Sequence, residues 1–360
     1  MVRGLLGVVA AAALVFGGGW LALRVPAVQD AVARRVIARA VAPQLDPLFS
    51  DDALRAYLCG SGSPLPHATR AKACVAVFAA GRFWIVDTGP GSWNRLALSR
   101  IDPARIGAVF LTHFHSDHIG DLGEFNLNTW VAGRPSALRV FGPPGVERVV
   151  AGFSEAYALD TGYRIAHHGA DFLPADAGRM LAKPIPSLDE NAERAVVLEE
   201  NGLTVSAFQV HHDPVKPAYG YRFDYRGRSI VISGDTAKCE SVARAAKGAD
   251  VLFHEAQANH LIAMIGAAAQ AANRPRAAKI MADIPSYHTT PVEAAEIANE
   301  AGVHLLVLYH LNPPPPTKLI EPMFARGVDE ARHGDWTLGD DGLLVELPAG
   351  TDRVIVRKLD

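Results

Sequence analysis

His113-Phe-His-Ser-Asp-His118 places four metal-competent side chains within six positions. The preceding residues 108–112 are apolar and strand-like, so His113 and His115, two apart in extended chain, point to the same side and can bind one cation. If the chain turns into a helix after Ser116, Asp117 and His118 reach a neighbouring position that suits a second zinc-like ion. The alternative is a solvated histidine-rich loop, and the rest of the chain decides between the two.

The remaining ligand candidates follow three further apolar, strand-like runs, where each strand gives way to a loop. They are His211 or His212 after residues 203–210, Asp235 after residues 230–232, and His310 after residues 305–308. Loops at strand ends, held by a rigid scaffold, are where distant side chains converge on one cleft. If the chain is still extended at the two adjacent histidines, they point opposite ways and only one binds metal. The pattern predicts a two-metal hydrolytic site.

The composition is that of a globular enzyme. The chain has 360 residues, of which 49% are hydrophobic and 20% are charged, enough to bury a large core. Strand-like runs alternate with helix-like stretches such as residues 237–247 and 291–301, which predicts a mixed α/β catalytic domain. The formal charge of -3 lacks the basic excess of a protein that binds a nucleic-acid backbone, although a local basic patch is compatible with it.

The N-terminus differs from this core. Residues 4–23 are an uncharged apolar run of 20 residues, long enough to cross a bilayer as a helix. No convincing cleavage site closes the run, which favours an uncleaved anchor over an export signal. We expect a membrane anchor or signal segment at residues 1–24, an amphipathic tether at 25–50 and a catalytic domain at 51–360. The expected location is the inner membrane or the periplasm, with a cytoplasm-facing orientation left open.

The three cysteines form no Cys-X-X-Cys pair, so metal binding falls to histidine and aspartate. Cys59 and Cys74 could be bridged in an oxidising compartment, while Cys239 has no evident partner. Three reduced thiols are an equal alternative.

Taken together, His113-X-His115-X-Asp117-His118, Gly234-Asp235-Thr236 and a histidine that ends a strand resemble the metallo-β-lactamase superfamily over residues 54–350. Within it the chain is similar to the ribonuclease Z and arylsulfatase-like branch. The segments that carry this closer similarity are Cys59-Gly-Ser-Gly-Ser-Pro64, Val86-Asp-Thr-Gly-Pro-Gly91, Phe141-Gly-Pro-Pro-Gly145, Tyr219-Gly-Tyr-Arg222, His254-Glu-Ala256 and His288-Thr-Thr-Pro291. The resemblance implies a four-layer αββα sandwich with the metals at one edge of the paired sheets.

The resemblance also implies the ligands of two zinc ions, with Mn²⁺ or Fe²⁺ as alternative metals. They are His113, His115 and His212 for one ion, Asp117, His118 and His310 for the other, and Asp235 as the bridge. His212 is preferred to His211 because related sequences carry His-X-Pro before Gly-Tyr-Arg, which His212-Asp213-Pro214 matches. Two such ions hold water as hydroxide near neutral pH and polarise the electrophile.

Five residues are expected to support the chemistry. Asp117 is placed to orient or deprotonate the attacking water. His288, whose counterpart in the resembled branch acts on the scissile group, is expected to stabilise the transition state or protonate the leaving group. His254 and Glu255, and more weakly Asp87, are expected to lie behind the ligands and fix their orientation.

The substrate is where the sequence is least informative. Common ribonuclease Z enzymes carry a long basic arm that clamps transfer RNA, but only 22 residues separate His212 from Asp235. We therefore expect a small-molecule sulfate or phosphate ester as substrate, with an arylsulfatase-like or phosphodiesterase-like activity, and nucleic acid is disfavoured. A tRNA 3' processing endoribonuclease is the enzymatic alternative, followed by a lactone or β-lactam hydrolase. A metal-free binding scaffold is the alternative from another class, and a homodimer is left open.

Overall fold

The computed structural model describes residue 20 and residues 23–41, 47–188 and 194–359. Contacts divide the chain into two units, Met1–Leu45 and Asp46–Asp360. The first unit contains helix α1, Pro26–Val41. Among the described residues, no helix combines the length and apolar character needed to span a bilayer. Most of the apolar run at residues 4–23, on which the expected anchor or signal segment rests, lies outside the described residues.

The second unit is built from strands and helices in alternation. Its strands are β1 Ala53–Gly60, β2 Cys74–Ala79, β3 Arg82–Val86, β4 Ile106–Phe110, β5 Leu138–Gly142, β6 Met180–Pro184, β7 Ala195–Glu200, β8 Leu203–His212, β9 Val215–Tyr225, β10 Arg228–Ile232, β11 Val251–Gln257, β12 Leu305–Asn312, β13 Asp335–Leu338, β14 Leu343–Pro348 and β15 Ile355–Lys358. Its helices are α2 Ser92–Leu98, α3 Ser116–Ile119, α4 Leu122–Val131, α5 Val146–Ala156, α6 Ala158–His168, α7 Glu240–Ala246, α8 Asn259–Ala271, α9 Pro275–Asp283, α10 Pro291–Ala301, α11 Glu321–Phe324 and α12 Val328–Ala331.

The strands of the described chain form two sheets. One has eight strands in the order β15-β14-β1-β2-β3-β4-β5-β6, and the other has seven in the order β13-β12-β11-β10-β9-β8-β7. Strands β3 to β6 pair in parallel, and so do β10 to β13. Parallel strands covered on both faces are buried along their whole length instead of alternating, as β4, β10 and β12 are. Their carboxyl ends therefore meet at a common edge of each sheet.

Three apolar layers hold the fold together. Between the sheets, Trp84 and Phe110 of the first sheet belong to the same buried cluster as Phe223 and Phe253 of the second. A second cluster packs helices α7 and α10 against the other face of the seven-stranded sheet. A third packs helices α4 and α5 against the other face of the eight-stranded sheet. The layer order is helix, sheet, sheet, helix, so the expected mixed α/β sandwich is observed.

A disulfide joins the neighbouring strands β1 and β2. Cys59 and Cys74 are both buried, and their Cα atoms lie 5.0 Å apart. Cys239 is a buried free thiol.

Candidate metal centre

Seven His and Asp side chains meet at the ends of strands from both sheets. Each of these ligand candidates lies at or just beyond the carboxyl end of a strand: His113, His115, Asp117 and His118 after β4, His212 at the end of β8, Asp235 after β10, and His310 near the end of β12. Their ligand atoms form groups, and the atoms of each group lie within 4.8 Å of one another. All seven predicted ligands are therefore brought together.

The first group contains three histidines. His115 Nδ1 lies 2.9 Å from His113 Nε2 and 3.4 Å from His212 Nε2. His212 is 1% exposed, whereas the adjacent His211 is exposed and lies outside the group. The alternation of side chains along strand β8 explains why only one of the two neighbours faces the site. His115 is itself exposed, so the group opens to solvent on its side.

The second group combines a carboxylate with two histidines. Asp117 Oδ2 lies 3.2 Å from His310 Nε2 and 3.6 Å from His118 Nε2. Helix α3 begins directly after His115, and this turn of the chain directs Asp117 and His118 to a second position. His310 is the extra residue of a β-bulge, because Tyr309 pairs with Glu255 and Leu311 with Ala256. A bulge redirects a side chain, and the φ of 46° at His310 reflects this local conformation.

Asp235 lies between the two groups. Its Oδ2 atom is 4.0 Å from His113 Nε2, 3.9 Å from His212 Nε2, 3.3 Å from His118 Nε2 and 3.4 Å from His310 Nε2. One carboxylate oxygen therefore faces imidazole nitrogens of both groups. This is the geometry that a ligand shared by two cations requires.

The residues present fit metal ions. Buried polar atoms are normally hydrogen-bonded, yet His118 Nε2 and Asp235 Oδ1 have no hydrogen-bond partner among the described residues. Three of the histidines donate their Nδ1–H groups to the protein and leave Nε2 facing the centre. The acceptors are Thr112 Oγ1 for His113 at 3.0 Å, Asp87 Oδ2 for His118 at 2.8 Å and the Tyr287 carbonyl for His212 at 3.1 Å. Imidazole nitrogens with carboxylate oxygens form a donor set that suits zinc.

Electrostatics favour the same interpretation. Burial lowers the pKa of His113 and of His212, which keeps both imidazoles neutral with a free lone pair. Burial would also lower the pKa of His118, but the carboxylates of Asp235, Asp87 and Asp117 hold it well above the usual value. The excess negative charge around His118 is balanced by a proton on its imidazole, and a metal cation can balance the same charge.

Asp87 and Thr112 support the ligands from behind. Asp87 accepts hydrogen bonds from His118 and from the Thr112 backbone and hydroxyl groups, the latter two at 2.8 Å. Asp87 has a φ of 60°, a conformation that is unusual for a residue other than glycine. In this conformation its carboxylate contacts both His118 and Thr112. Thr112 was not among the site residues predicted from the sequence, where its one signal was its position directly before His113.

His288 and Glu255 form a buried pair beside the centre. His288 Nδ1 donates to Glu255 Oε1 at 2.8 Å, and the same oxygen accepts from the backbone N–H groups of Thr289 and Thr236. Burial would lower the pKa of His288, but the Glu255 carboxylate raises it to about 8. His288 also lies within 4.8 Å of Asp235 and His310, so the geometry allows it to act on substrate or to bind a cation.

Two further residues adjoin these groups. His254 is fully buried and donates from Nδ1 to the backbone carbonyl of Glu255 at 2.7 Å, so it contacts the residue that holds His288. The Tyr287 ring, which is partly exposed, packs against His212 with the ring centroids 5.0 Å apart. Tyr287 was not predicted from the sequence, because its contact with His212 spans 75 positions.

We expect His212→Ala to lose metal while His211→Ala retains it. His212 faces the other imidazoles of its group, whereas His211 lies on the opposite side of the strand. Elemental analysis of the two purified variants provides a matched comparison of neighbouring positions. Retention of metal by His212→Ala together with its loss from His211→Ala would contradict the arrangement.

The fold and the site define a metal-dependent hydrolase. The family model described as "Beta-lactamase superfamily domain" matches residues 82–311. A ribonuclease Z of Mycobacterium bovis (strain BCG / Pasteur 1173P2) is 36% identical over 263 residues, which is 72% of this chain and 86% of the relative. The chain therefore belongs to the beta-lactamase superfamily and, within it, to the ribonuclease Z family.

Solved structures agree on the fold. The short form of human tRNase Z matches with a TM-score of 0.57 and 21% identity, covering 82% of this chain and 99% of that one. The metallo-beta-lactamase fold protein YhfI from Bacillus subtilis matches with a TM-score of 0.56 and 19% identity, covering 82% and 100%. At these identities the likeness concerns the fold alone.

These relatives correct the expected substrate. The expectation of a small sulfate or phosphate ester, with an arylsulfatase-like activity, is wrong, because the curated relatives at 36% identity are ribonuclease Z proteins. That expectation rested on the short connection between His212 and Asp235, which lacks the long basic arm of common ribonuclease Z enzymes. Strands β9 and β10 do occupy most of this connection. A ribonuclease Z nevertheless aligns over 86% of its length, so the short connection does not separate this chain from that family. The expected membrane attachment gains no support from these comparisons.

Proposed function

We propose that the chain is a tRNA 3' processing endoribonuclease of the ribonuclease Z type, with residues 51–360 as its catalytic domain. The observation that carries the proposal is the position of the Asp235 carboxylate between two ligand groups, in a chain that aligns with most of a ribonuclease Z. Hydrolysis of a phosphodiester requires stabilisation of negative charge at the transferring phosphoryl group, which such a centre supplies.

In this proposal the two groups hold two zinc ions. His113, His115 and His212 would hold one ion and Asp117, His118 and His310 the other, and Asp235, whose carboxylate faces both groups, would be their shared ligand. Two such ions, when bound, lower the pKa of water and stabilise the charge that develops on the phosphoryl oxygens.

Asp117 and His288 are the proposed catalytic side chains. Burial would raise the pKa of Asp117, but His118 and His310 lower it to about 2. A carboxylate with so low a pKa is a weak proton acceptor, so Asp117 orients the attacking water as a hydrogen-bond acceptor. His288, with a pKa of about 8, carries a proton at neutral pH. It donates that proton from Nε2 to the leaving oxygen, while Glu255 holds Nδ1.

The open side of the centre suits a single-stranded nucleic acid. His115 is exposed there, and the partly exposed Tyr287 ring lies next to His212. An aromatic ring beside a reacting phosphate provides a surface on which an unpaired base can stack.

The test is cleavage of a precursor tRNA that carries a 3' trailer. We expect the zinc-loaded chain to release the trailer with a kcat/KM at least about a hundredfold above that for bis(p-nitrophenyl) phosphate, since the remote parts of the RNA contribute binding energy. Increasing salt should weaken the reaction with RNA more than the reaction with the small ester. Hydrolysis of the small ester without cleavage of the precursor would refute the proposal.

A further inference from the structure

Helix α1 leaves a row of apolar side chains exposed. Val25, Val32 and Val36 are 49%, 44% and 61% exposed, and Val28 is partly exposed. These residues are separated by three, four and four positions, so they lie along one face of the helix. Single exposed apolar residues are normal, but a continuous row indicates a surface that binds a partner.

The same segment is strongly basic. Residues 20–41 contain four arginines and one aspartate. Arg34 and Arg35 are exposed; Arg35 borders the row because it follows Val32 by three positions, whereas Arg34 lies on the opposite side of the helix. Arginine can place its aliphatic stem along an apolar surface while its guanidinium group reaches an anion. The face therefore combines apolar and cationic character.

Trp20 and Arg24 precede the helix. The Arg24 guanidinium lies 3.7 Å from the centroid of the Trp20 ring, and Trp20 is 60% exposed. Tryptophan is enriched where a bilayer meets water, because its ring is apolar and its N–H is polar. In the sequence, Trp20 lies within the uncharged apolar run of residues 4–23, and Arg24 directly follows that run.

We infer that α1 lies on the surface of an anionic lipid bilayer, with the valine row in the interface and Arg35 beside it against lipid phosphates. The inference does not depend on the proposed function. RNA would bind the arginines but would leave the row of valines exposed to water. A second copy would bring one cationic helix against another. The lipid surface satisfies both the apolar and the cationic features of this helix.

Vesicle binding by the full-length chain tests the inference. The chain is mixed with phosphatidylcholine vesicles with and without phosphatidylglycerol, and the ratio of the two partition coefficients is measured. We expect Arg34→Gln/Arg35→Gln to reduce this ratio by at least about fivefold, since an arginine near an anionic surface contributes roughly fivefold and Arg35 borders the valine row. Val32→Gln/Val36→Gln should weaken binding to both kinds of vesicle. The matched control is Arg274→Gln/Arg276→Gln, which removes two exposed arginines of the second unit and should leave the ratio unchanged.

Three outcomes would overturn the inference. One is an unchanged ratio in Arg34→Gln/Arg35→Gln while circular dichroism shows the chain still folded. The second is loss of precursor tRNA binding in that variant with vesicle binding intact, which would make the helix an RNA-binding element. The third is a dimer in solution that Val32→Gln/Val36→Gln dissociates, with no effect on vesicles, which would make the helix a self-association surface.

Discussion

Asp235→Ala is expected to lose metal and catalytic activity together. The Oδ2 atom of Asp235 lies within 4.0 Å of imidazole nitrogens from both ligand groups, so its removal takes one ligand from each proposed ion. Loss of a side chain that merely supports a ligand costs about ten- to a hundredfold in affinity or activity, and a shared ligand should cost more. The metal content measured by elemental analysis should fall from close to two ions per chain to one or none. Turnover should fall by more than about a hundredfold.

The variant also changes the charge of the centre. The Asp235 carboxylate raises the pKa of His118, so its removal makes the neutral form of that histidine more stable. A folded apoprotein is therefore the expected product, and circular dichroism checks this. Asp213→Ala is the matched control, because Asp213 lies next to His212 in sequence but its side chain is 64% exposed and pairs with Lys216. Two bound ions and normal turnover in Asp235→Ala would eliminate the bridging role.

His288→Ala is expected to retain metal and lose turnover. His288 is held by Glu255 at 2.8 Å and carries a proton at neutral pH, so it can serve as the acid for the leaving oxygen. Removal of a positioned acid or base costs about a hundredfold or more in rate. The loss should be smaller for nitrophenyl esters, whose leaving groups need no proton, than for alkyl phosphodiesters. Parallel measurement of kcat on both ester types and of metal content checks this.

The result also decides between two roles that the geometry allows for His288. Loss of an ion in His288→Ala would make this residue a ligand, in keeping with its position beside Asp235 and His310. Equal rate losses for both ester types, with metal retained, would indicate charge stabilisation in place of proton donation. His304→Ala, which removes an exposed histidine just before strand β12, is the control and should change neither quantity.

Among the predictions from the sequence, that of the substrate was the least reliable. The short connection between His212 and Asp235 and the formal charge of -3 both argued against RNA, yet the chain is 36% identical to ribonuclease Z proteins over most of their length. Net charge averages over the whole surface, whereas binding of a phosphate backbone depends on the local arrangement of a few groups. The lack of a long arm between His212 and Asp235 likewise excludes one way of binding RNA but leaves other binding surfaces available.

The apolar runs and the polar residues that end them predicted a mixed α/β domain and the ligand candidates that the structure brings together, because these are local features. The resemblance to the metallo-β-lactamase superfamily supplied the sandwich. Alternation in extended chain predicted that only one of His211 and His212 faces the site, and the resemblance selected His212. The resemblance implied a bridging role for Asp235, whereas its distances to the imidazoles of both groups, the bulge that redirects His310 and the support of His113 by Thr112 depended on the tertiary structure. The contact between Asp235 and His118 joins residues 117 positions apart, and only the packing of one sheet on the other determines such distances.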